Sequence, residues 1–81
     1  MAFHIYYLDD EKELCDNFVD FFASDEVIVT AFTDPRTAIM STKFLVPDMF
    51  FIDYRLPAMT GDDVAEALPA SIPKILITGD I

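Results

Sequence analysis

Three acidic residues and one hydroxyl, side chains suited to binding a metal ion or a phosphate, directly follow apolar runs. They are Asp9 and Asp10 after Phe3–Leu8, Asp53 after the run 49–52, and Thr78 after the run 75–77. If these runs are neighbouring parallel strands, their carboxyl ends share one edge of the sheet, where open α/β sheets bind ligands. The spacing therefore predicts that three carboxylates converge within several ångströms.

Carboxylates that converge in this way repel one another unless one is protonated or a cation lies between them. The set consists of hard oxygen ligands with no histidine or cysteine nearby, which suits Mg²⁺. A carboxylate beside such a cation can attack a phosphoryl group and become an acyl phosphate. Taken singly, each aspartate also suits a structural role, because aspartate at a strand end commonly caps a helix or forms a turn.

The elements that must position these residues alternate between strand and helix patterns. Val27–Phe32 is a fourth, weaker strand, and strands that are apolar on both sides are typical of a parallel sheet covered on both faces. Helices are predicted over residues 11–24, 35–42 and 62–68. Their starts carry capping signals: Asp10 with Glu13, Asp34 with Pro35, and Thr60 with Asp63. The order βαβαβαβ predicts a doubly wound α/β fold with right-handed crossovers.

The composition describes one small acidic domain. The 81 residues are 53% hydrophobic, which excludes a disordered chain. A formal net charge of −10 disfavours direct binding to nucleic acid or to anionic membranes. The apolar runs are too short to span a bilayer, and no signal peptide is visible. The single Cys15 cannot form an internal disulfide, so we expect a cytoplasmic protein.

The segments around these acids resemble the receiver domains of bacterial response regulators. The resemblance lies in the acid pair at 9–10, in DYRLPAMTG at 53–61 and in PKILITG at 73–79. It implies a flavodoxin-like receiver fold truncated to four strands, in the order 2-1-3-4, and three helices. Residues 1–81 would then form a receiver domain lacking the fourth helix, fifth strand and fifth helix. The sequence leaves open whether the chain is naturally short or a fragment.

The same resemblance implies a phosphoacceptor that assists its own phosphorylation and dephosphorylation, rather than an enzyme acting on other substrates. Its donor would be a histidine kinase or a phosphotransfer protein. The residues implied are Asp53 as phosphoacceptor; Asp9, Asp10, Asp53 and the backbone carbonyl of Arg55 as Mg²⁺ ligands, Asp9 directly or through water; Thr78 as a hydrogen-bond partner of the phosphoryl group; and Gly79 as the small residue that leaves room beside it.

The sequence departs from the family pattern in its last part. No counterpart is visible for the lysine that pairs with the phosphoryl group or for the aromatic switch residue. Lys74 is a poor substitute, because four strand residues place it roughly 13 Å from Thr78. Lys12 and Arg55 are nearer candidates.

The predicted strand order also leaves apolar surface uncovered. Right-handed crossovers put the first helix alone on one face of the sheet. Part of that face, beneath strands three and four, then exposes one parity of residues 50–52 and 75–77. Because strand four is also an unpaired edge, we expect a homodimer through this face or this edge.

Two functions remain open at this point. The first is a phosphorylation switch centred on Asp53, and the second is a degenerate receiver that serves only as a dimerisation or docking module. A small hydrolase that uses an aspartate nucleophile is disfavoured, because such enzymes carry Asp-x-Asp where this chain has Asp53-Tyr54-Arg55.

Overall fold

The structure, a computed structural model, describes residues 2–57 and 59–78. The described residues form seven elements: β1 (Phe3–Leu8), α1 (Lys12–Phe22), β2 (Val27–Phe32), α2 (Pro35–Ser41), β3 (Met49–Asp53), α3 (Gly61–Ala67) and β4 (Lys74–Ile77). The strands make one parallel sheet in the order β2-β1-β3-β4, which confirms the predicted topology. Within the described ranges, no helix is long and apolar enough to cross a membrane.

The helices lie on the two faces of the sheet as the crossover rule predicts. On one face, the Phe18 ring of α1 stacks on Tyr7 of β1 with a centroid distance of 4.1 Å. On the other face, Ala38 of α2 and Val64 of α3 belong to one buried cluster with the alternate strand residues. Successive strand residues point to opposite faces, so Tyr7 faces α1 while Tyr6 faces α2 and α3.

The main core lies between the sheet and the pair α2 and α3. Its buried members are Tyr6, Leu8, Ala38, Phe50, Ile52, Val64, Leu68 and Ile72. Burying a large apolar side chain contributes about 1.5–3 kcal/mol, so this cluster is a principal source of stability. Phe50 and Ile52 are fully buried here, which leaves Phe51 of β3 for the face covered by α1. Leu8 and Ile52, which pair near the ends of β1 and β3, are both buried in this core, so the core holds these two strand ends side by side.

Two of the three predicted helix caps are present. The Asp34 carboxylate accepts a hydrogen bond from the Thr37 N–H at 3.1 Å, and Pro35 is the first helical residue. Thr60 and Asp63 form a reciprocal capping box at the start of α3. The predicted cap at Asp10 was wrong, because the N-cap residue of α1 is Glu11.

The α1 side of the sheet carries an aromatic surface that is only partly covered. Four phenylalanine rings form a row. The centroid distances between neighbours are 4.9 Å for Phe21 and Phe22, 4.5 Å for Phe22 and Phe18, and 5.2 Å for Phe18 and Phe51. Ile75 of β4 pairs in register with Phe51 and extends the row. We call these five residues the α1–β4 surface. Phe21 is 81% exposed and Ile75 40% exposed, so both ends of the row lie open to solvent.

Helix α1 begins one residue later than a cap at Asp10 requires. Its N-cap residue is Glu11, whose side chain makes no capping hydrogen bond. The carboxylate of Asp9 instead accepts the Glu11 N–H at 2.9 Å. Because Asp9 takes this amide two residues ahead of itself, as aspartates in turns do, the side chain of Asp10 is left to the solvent side.

Candidate functional site

The carboxyl ends of β1 and β3 bring the three predicted acids together. Leu8 pairs with Ile52, so the residues that follow each strand share one edge of the sheet. One carboxylate oxygen from each of Asp9, Asp10 and Asp53 lies within 4.8 Å of the others. The sheet holds three like charges at this distance, which is electrostatically unfavourable when all three are ionised and no cation is bound.

Asp9 is the buried member of the group, with 4% of its surface exposed. Its Oδ1 accepts the Glu11 N–H at 2.9 Å, and its Oδ2 accepts the Tyr7 hydroxyl at 3.0 Å. Burial, together with the hydrogen bond and charge of Asp9, raises the pKa of Tyr7 well above its ordinary value of 10.0. Tyr7 therefore remains a hydrogen-bond donor at neutral pH.

Asp53 is the last residue of β3 and lies opposite Ile77 of β4. Its Oδ1 accepts the backbone N–H of Arg55 at 3.2 Å. Burial raises the pKa of the Asp53 carboxyl above its ordinary 3.8; the Arg55 N–H opposes this, and the charges of Asp9 and Asp10 add to it. The surroundings of Asp53 thus disfavour its negative charge unless a cation is present.

The acids line an open cleft with a volume of about 420 Å³. The described residues around it are Tyr7, Asp9, Asp10, Glu11, Leu14, Asp53, Arg55 and Ile77. Four acidic residues and one basic residue thus line the cleft, and the three convergent acids offer oxygen ligands only. This donor set fits Mg²⁺, a hard cation that prefers a few carboxylates with waters and a phosphate.

The remaining predicted residues are distributed around the cleft. Thr78 follows β4 at the same edge and is exposed, one residue beyond the lining residue Ile77. Arg55 lines the cleft, and its backbone forms an isolated antiparallel β-bridge with Thr60. Lys12 instead forms a salt bridge with Asp16 at 2.9 Å on the exposed side of α1. Lys74 donates to backbone carbonyls at the opposite end of β4, so it cannot serve the cleft. The prediction for Gly79 falls outside the described residues.

Sequence reasoning missed Tyr7, whose hydroxyl contacts Asp9 directly. A usable signal was present, because residues two apart on a strand point to the same face. Tyr7 precedes Asp9 by two positions, so a tyrosine there is a natural neighbour of the acid.

Comparisons with known proteins agree with this fold. A protein-family model described as "Response regulator receiver domain" matches residues 5–80. The regulatory protein LuxO of Vibrio vulnificus (strain YJ016) is 50% identical over 42 residues, which are 52% of this chain but 9% of LuxO. The chain therefore spans about a tenth of the length of the curated relatives it matches.

Solved structures give the same answer for the fold. The chemotaxis response regulator CheY4 of Vibrio cholerae has a TM-score of 0.88 at 18% identity, covering 99% of this chain and 71% of CheY4. A CheY-like receiver domain from Methylobacillus flagellatus also has a TM-score of 0.88, at 13% identity, covering 99% of this chain and 72% of that one. At this level of identity the likeness concerns the fold. With the family match over residues 5–80, it establishes that the chain belongs to the response regulator receiver domain family.

Proposed function

We propose that this chain is the phosphoryl-accepting switch of a two-component system, with Asp53 as the acceptor. The observation that carries the proposal is the convergence of Asp9, Asp10 and Asp53 within 4.8 Å at the end of β3. In this proposal residues 1–81 act as one receiver unit in the cytoplasm, where the free thiol of buried Cys15 stays reduced. The partner would be a histidine kinase or a phosphotransfer protein.

The metal that fits the cluster is Mg²⁺. Asp9, Asp10, Asp53 and the backbone carbonyl of Arg55 would hold it, with Asp9 binding directly or through water. When bound, the cation supplies positive charge that offsets the repulsion among the acids and neutralises an incoming phosphoryl group.

The chemistry assigned to this chain is a single transfer. An oxygen of the Asp53 carboxylate forms a new P–O bond while the P–N bond of the donor phosphohistidine breaks. The bonding electron pair stays on the imidazole nitrogen, which takes up a proton from solvent. Thr78, at the same edge of the sheet, would hydrogen-bond the phosphoryl oxygens. The chain thereby assists its own phosphorylation and, with water as the attacking group, its own dephosphorylation.

Phosphorylation by a small donor tests this proposal without knowledge of the kinase. Incubation with acetyl phosphate and Mg²⁺ should add one phosphoryl group to the intact mass. Asp53→Asn should abolish the adduct, whereas Asp20→Asn, an exposed acid on α1, should keep it. An adduct that survives in the Asp53 variant, or no adduct in the wild type, would remove the switch function.

A second candidate function is favoured by the α1–β4 surface, which contains five apolar residues and no charged one. We propose that a second copy of the chain covers it. Two chains with a net charge of −10 repel each other, so an uncharged surface is where they can approach at least cost. If the wild type dimerises through this surface yet takes no phosphoryl group, the chain acts as a degenerate receiver that serves as a dimerisation or docking module.

Sedimentation measures the dimer directly. Ile75→Glu places a charge in the surface and should shift the protein to monomer. Ile28→Glu is the matched control, because Ile28 is 45% exposed on β2 at the opposite edge of the sheet and should leave the association unchanged. A wild type that is monomeric at high micromolar concentration contradicts the dimer.

A further inference from the structure

Tyr7 makes a buried hydrogen bond to a carboxylate rather than to the backbone. Its hydroxyl donates to Oδ2 of Asp9 at 3.0 Å, and both side chains are less than one-tenth exposed. A buried tyrosine can bond a backbone carbonyl instead, as Tyr6 does with Leu45 on the other face. Tyr7 is directed at a carboxylate of the acid cluster.

The ring of Tyr7 is fixed, and the position of its hydroxyl with it. Phe18 stacks on the ring at 4.1 Å with an interplanar angle of 15°. Phe18 in turn contacts Phe51 at 5.2 Å, so the stack is anchored on both α1 and β3. Close packing around a buried, stacked ring restricts its rotamers, so the hydroxyl keeps its direction toward Asp9.

Asp9 is consequently oriented from both sides, through the Tyr7 hydroxyl on Oδ2 and the Glu11 N–H on Oδ1. Each carboxylate oxygen has a second lone pair, so both can still bind a cation. Asp10, by contrast, is exposed. The cluster thus combines one ligand whose direction is set before binding with one that must be ordered during it, which costs conformational entropy.

We infer that Tyr7 is a positioning residue of the magnesium site, whose hydroxyl presets the orientation of Asp9. The inference rests on the proposed function, because it assumes that the cluster binds Mg²⁺. Hydrogen-bond partners of metal ligands change metal affinity by about 10–100-fold when they are removed. Preset ligands bind more tightly because less ordering accompanies binding.

The test compares two buried tyrosines whose hydroxyls donate to different acceptors, the Asp9 carboxylate for Tyr7 and a backbone carbonyl for Tyr6. Tyr7→Phe keeps the stacked ring and removes the hydroxyl, and it should weaken Mg²⁺ binding, measured by isothermal titration calorimetry, by about tenfold or more. Tyr6→Phe makes the same chemical change on the opposite face, and Mg²⁺ affinity should stay within about twofold of the wild type. Thermal melts show how far each variant is destabilised, which separates loss of the metal site from loss of the fold.

A spectroscopic measurement needs no change at Tyr7. The chain has three tyrosines and no tryptophan, so Tyr6→Phe combined with Tyr54→Phe leaves Tyr7 as the only source of near-ultraviolet tyrosine absorption. Mg²⁺ should shift that absorption as the hydroxyl's acceptor binds the cation. If this variant binds Mg²⁺ with no spectral shift, or if Tyr7→Phe binds as tightly as the wild type, the positioning role is wrong. If the wild type itself binds no Mg²⁺, the proposed function fails instead.

Discussion

Gly61 lies against the backbone of Tyr54, where α3 begins beside the end of β3. Its N–H donates to the Tyr54 carbonyl at 2.9 Å. A Cβ atom added at Gly61 would lie 2.9 Å from the Tyr54 Cα and 3.0 Å from the Asp53 carbonyl oxygen. Both neighbours are backbone atoms that cannot rotate aside. The glycine therefore permits the close approach that holds the start of α3 next to the acceptor residue.

Gly61→Ala should destabilise the domain by about 1–3 kcal/mol, the usual cost of forcing an extra methyl group into packed structure. In a domain of this size that corresponds to roughly 4–8 °C of melting temperature per kcal/mol. Asp62→Ala is the matched control: its methyl group lies on the exposed side of the same helical turn, and the loss of an acid near the helix N-terminus should cost about 1 kcal/mol or less. Equal melting temperatures for Gly61→Ala and the wild type would show that this backbone contact is not tight.

Ile72 shows that a residue outside the regular elements can belong to the core. It lies between α3 and β4 with 2% of its surface exposed, in the cluster with Phe50 and Val64. Ile72→Ala should cost roughly 2–5 kcal/mol through lost burial and the cavity left behind. The same change at Ile28, which is 45% exposed on an edge strand, should cost about 1 kcal/mol or less. Urea unfolding of the two variants checks the difference.

The convergence of the acids should weaken the domain when no metal is bound. Asp10 is exposed, and one of its oxygens lies within 4.8 Å of oxygens of Asp9 and Asp53. Asp10→Asn removes one repelling charge, so the melting temperature in a chelator should rise by about 2–4 °C, the equivalent of roughly half a kcal/mol.

Added Mg²⁺ should make the wild type melt at a higher temperature than Asp10→Asn, the reverse of the order in chelator. Binding to the folded state raises the melting temperature of the wild type, and the variant has lost a ligand and should gain less. Asp25 is an exposed acid in the loop between α1 and β2, and Asp25→Asn should leave the melting temperature unchanged both in chelator and in Mg²⁺. An Asp10 variant that is less stable than the wild type in chelator would contradict the repulsion.

The strands were predictable to within a residue at either end, because three of the four apolar runs are nearly continuous and Val27–Phe32 is interrupted only by Thr30. The start of α1 was not. Asp9 and Asp10 are the same residue type in adjacent positions, and local sequence does not say which carboxylate takes the Glu11 N–H. The direction of the Asp9 side chain decides it, and that direction follows from the alternation of β1, which turns Asp9 inward with Tyr7.

The acid cluster was predictable from strand order, whereas its hydrogen-bond partners required packing. The stack of Phe18 on Tyr7 depends on how α1 crosses the sheet, which involves residues distant in the sequence. Which basic residue lies near the acids was easier to predict. Lys12 has an acid four residues ahead at Asp16, a spacing that already favours the ion pair found on the helix surface. Arg55, two residues after Asp53, is the one basic residue within the described ranges that lines the cleft.

The N-cap of α2 gives a prediction with a defined pH dependence. Asp34 accepts hydrogen bonds from the Thr37 hydroxyl at 2.9 Å and the Thr37 N–H at 3.1 Å, and these lower the pKa of its carboxyl below the ordinary 3.8. A carboxyl whose pKa is lower in the folded state stabilises the fold above its unfolded pKa. This contribution is lost as the pH falls through the lowered, folded value.

Asp34→Asn keeps a good capping residue but cannot titrate. The variant should therefore be slightly less stable than the wild type at neutral pH, and the difference should shrink to nothing as the pH falls below the lowered pKa of Asp34. Asp34→Ala, which removes the cap itself, should be less stable than Asp34→Asn at every pH. Melting temperatures measured from neutral to strongly acidic pH test both statements. A gap between the asparagine variant and the wild type that persists unchanged into strong acid would mean that the charge of Asp34 does not contribute to holding the start of α2.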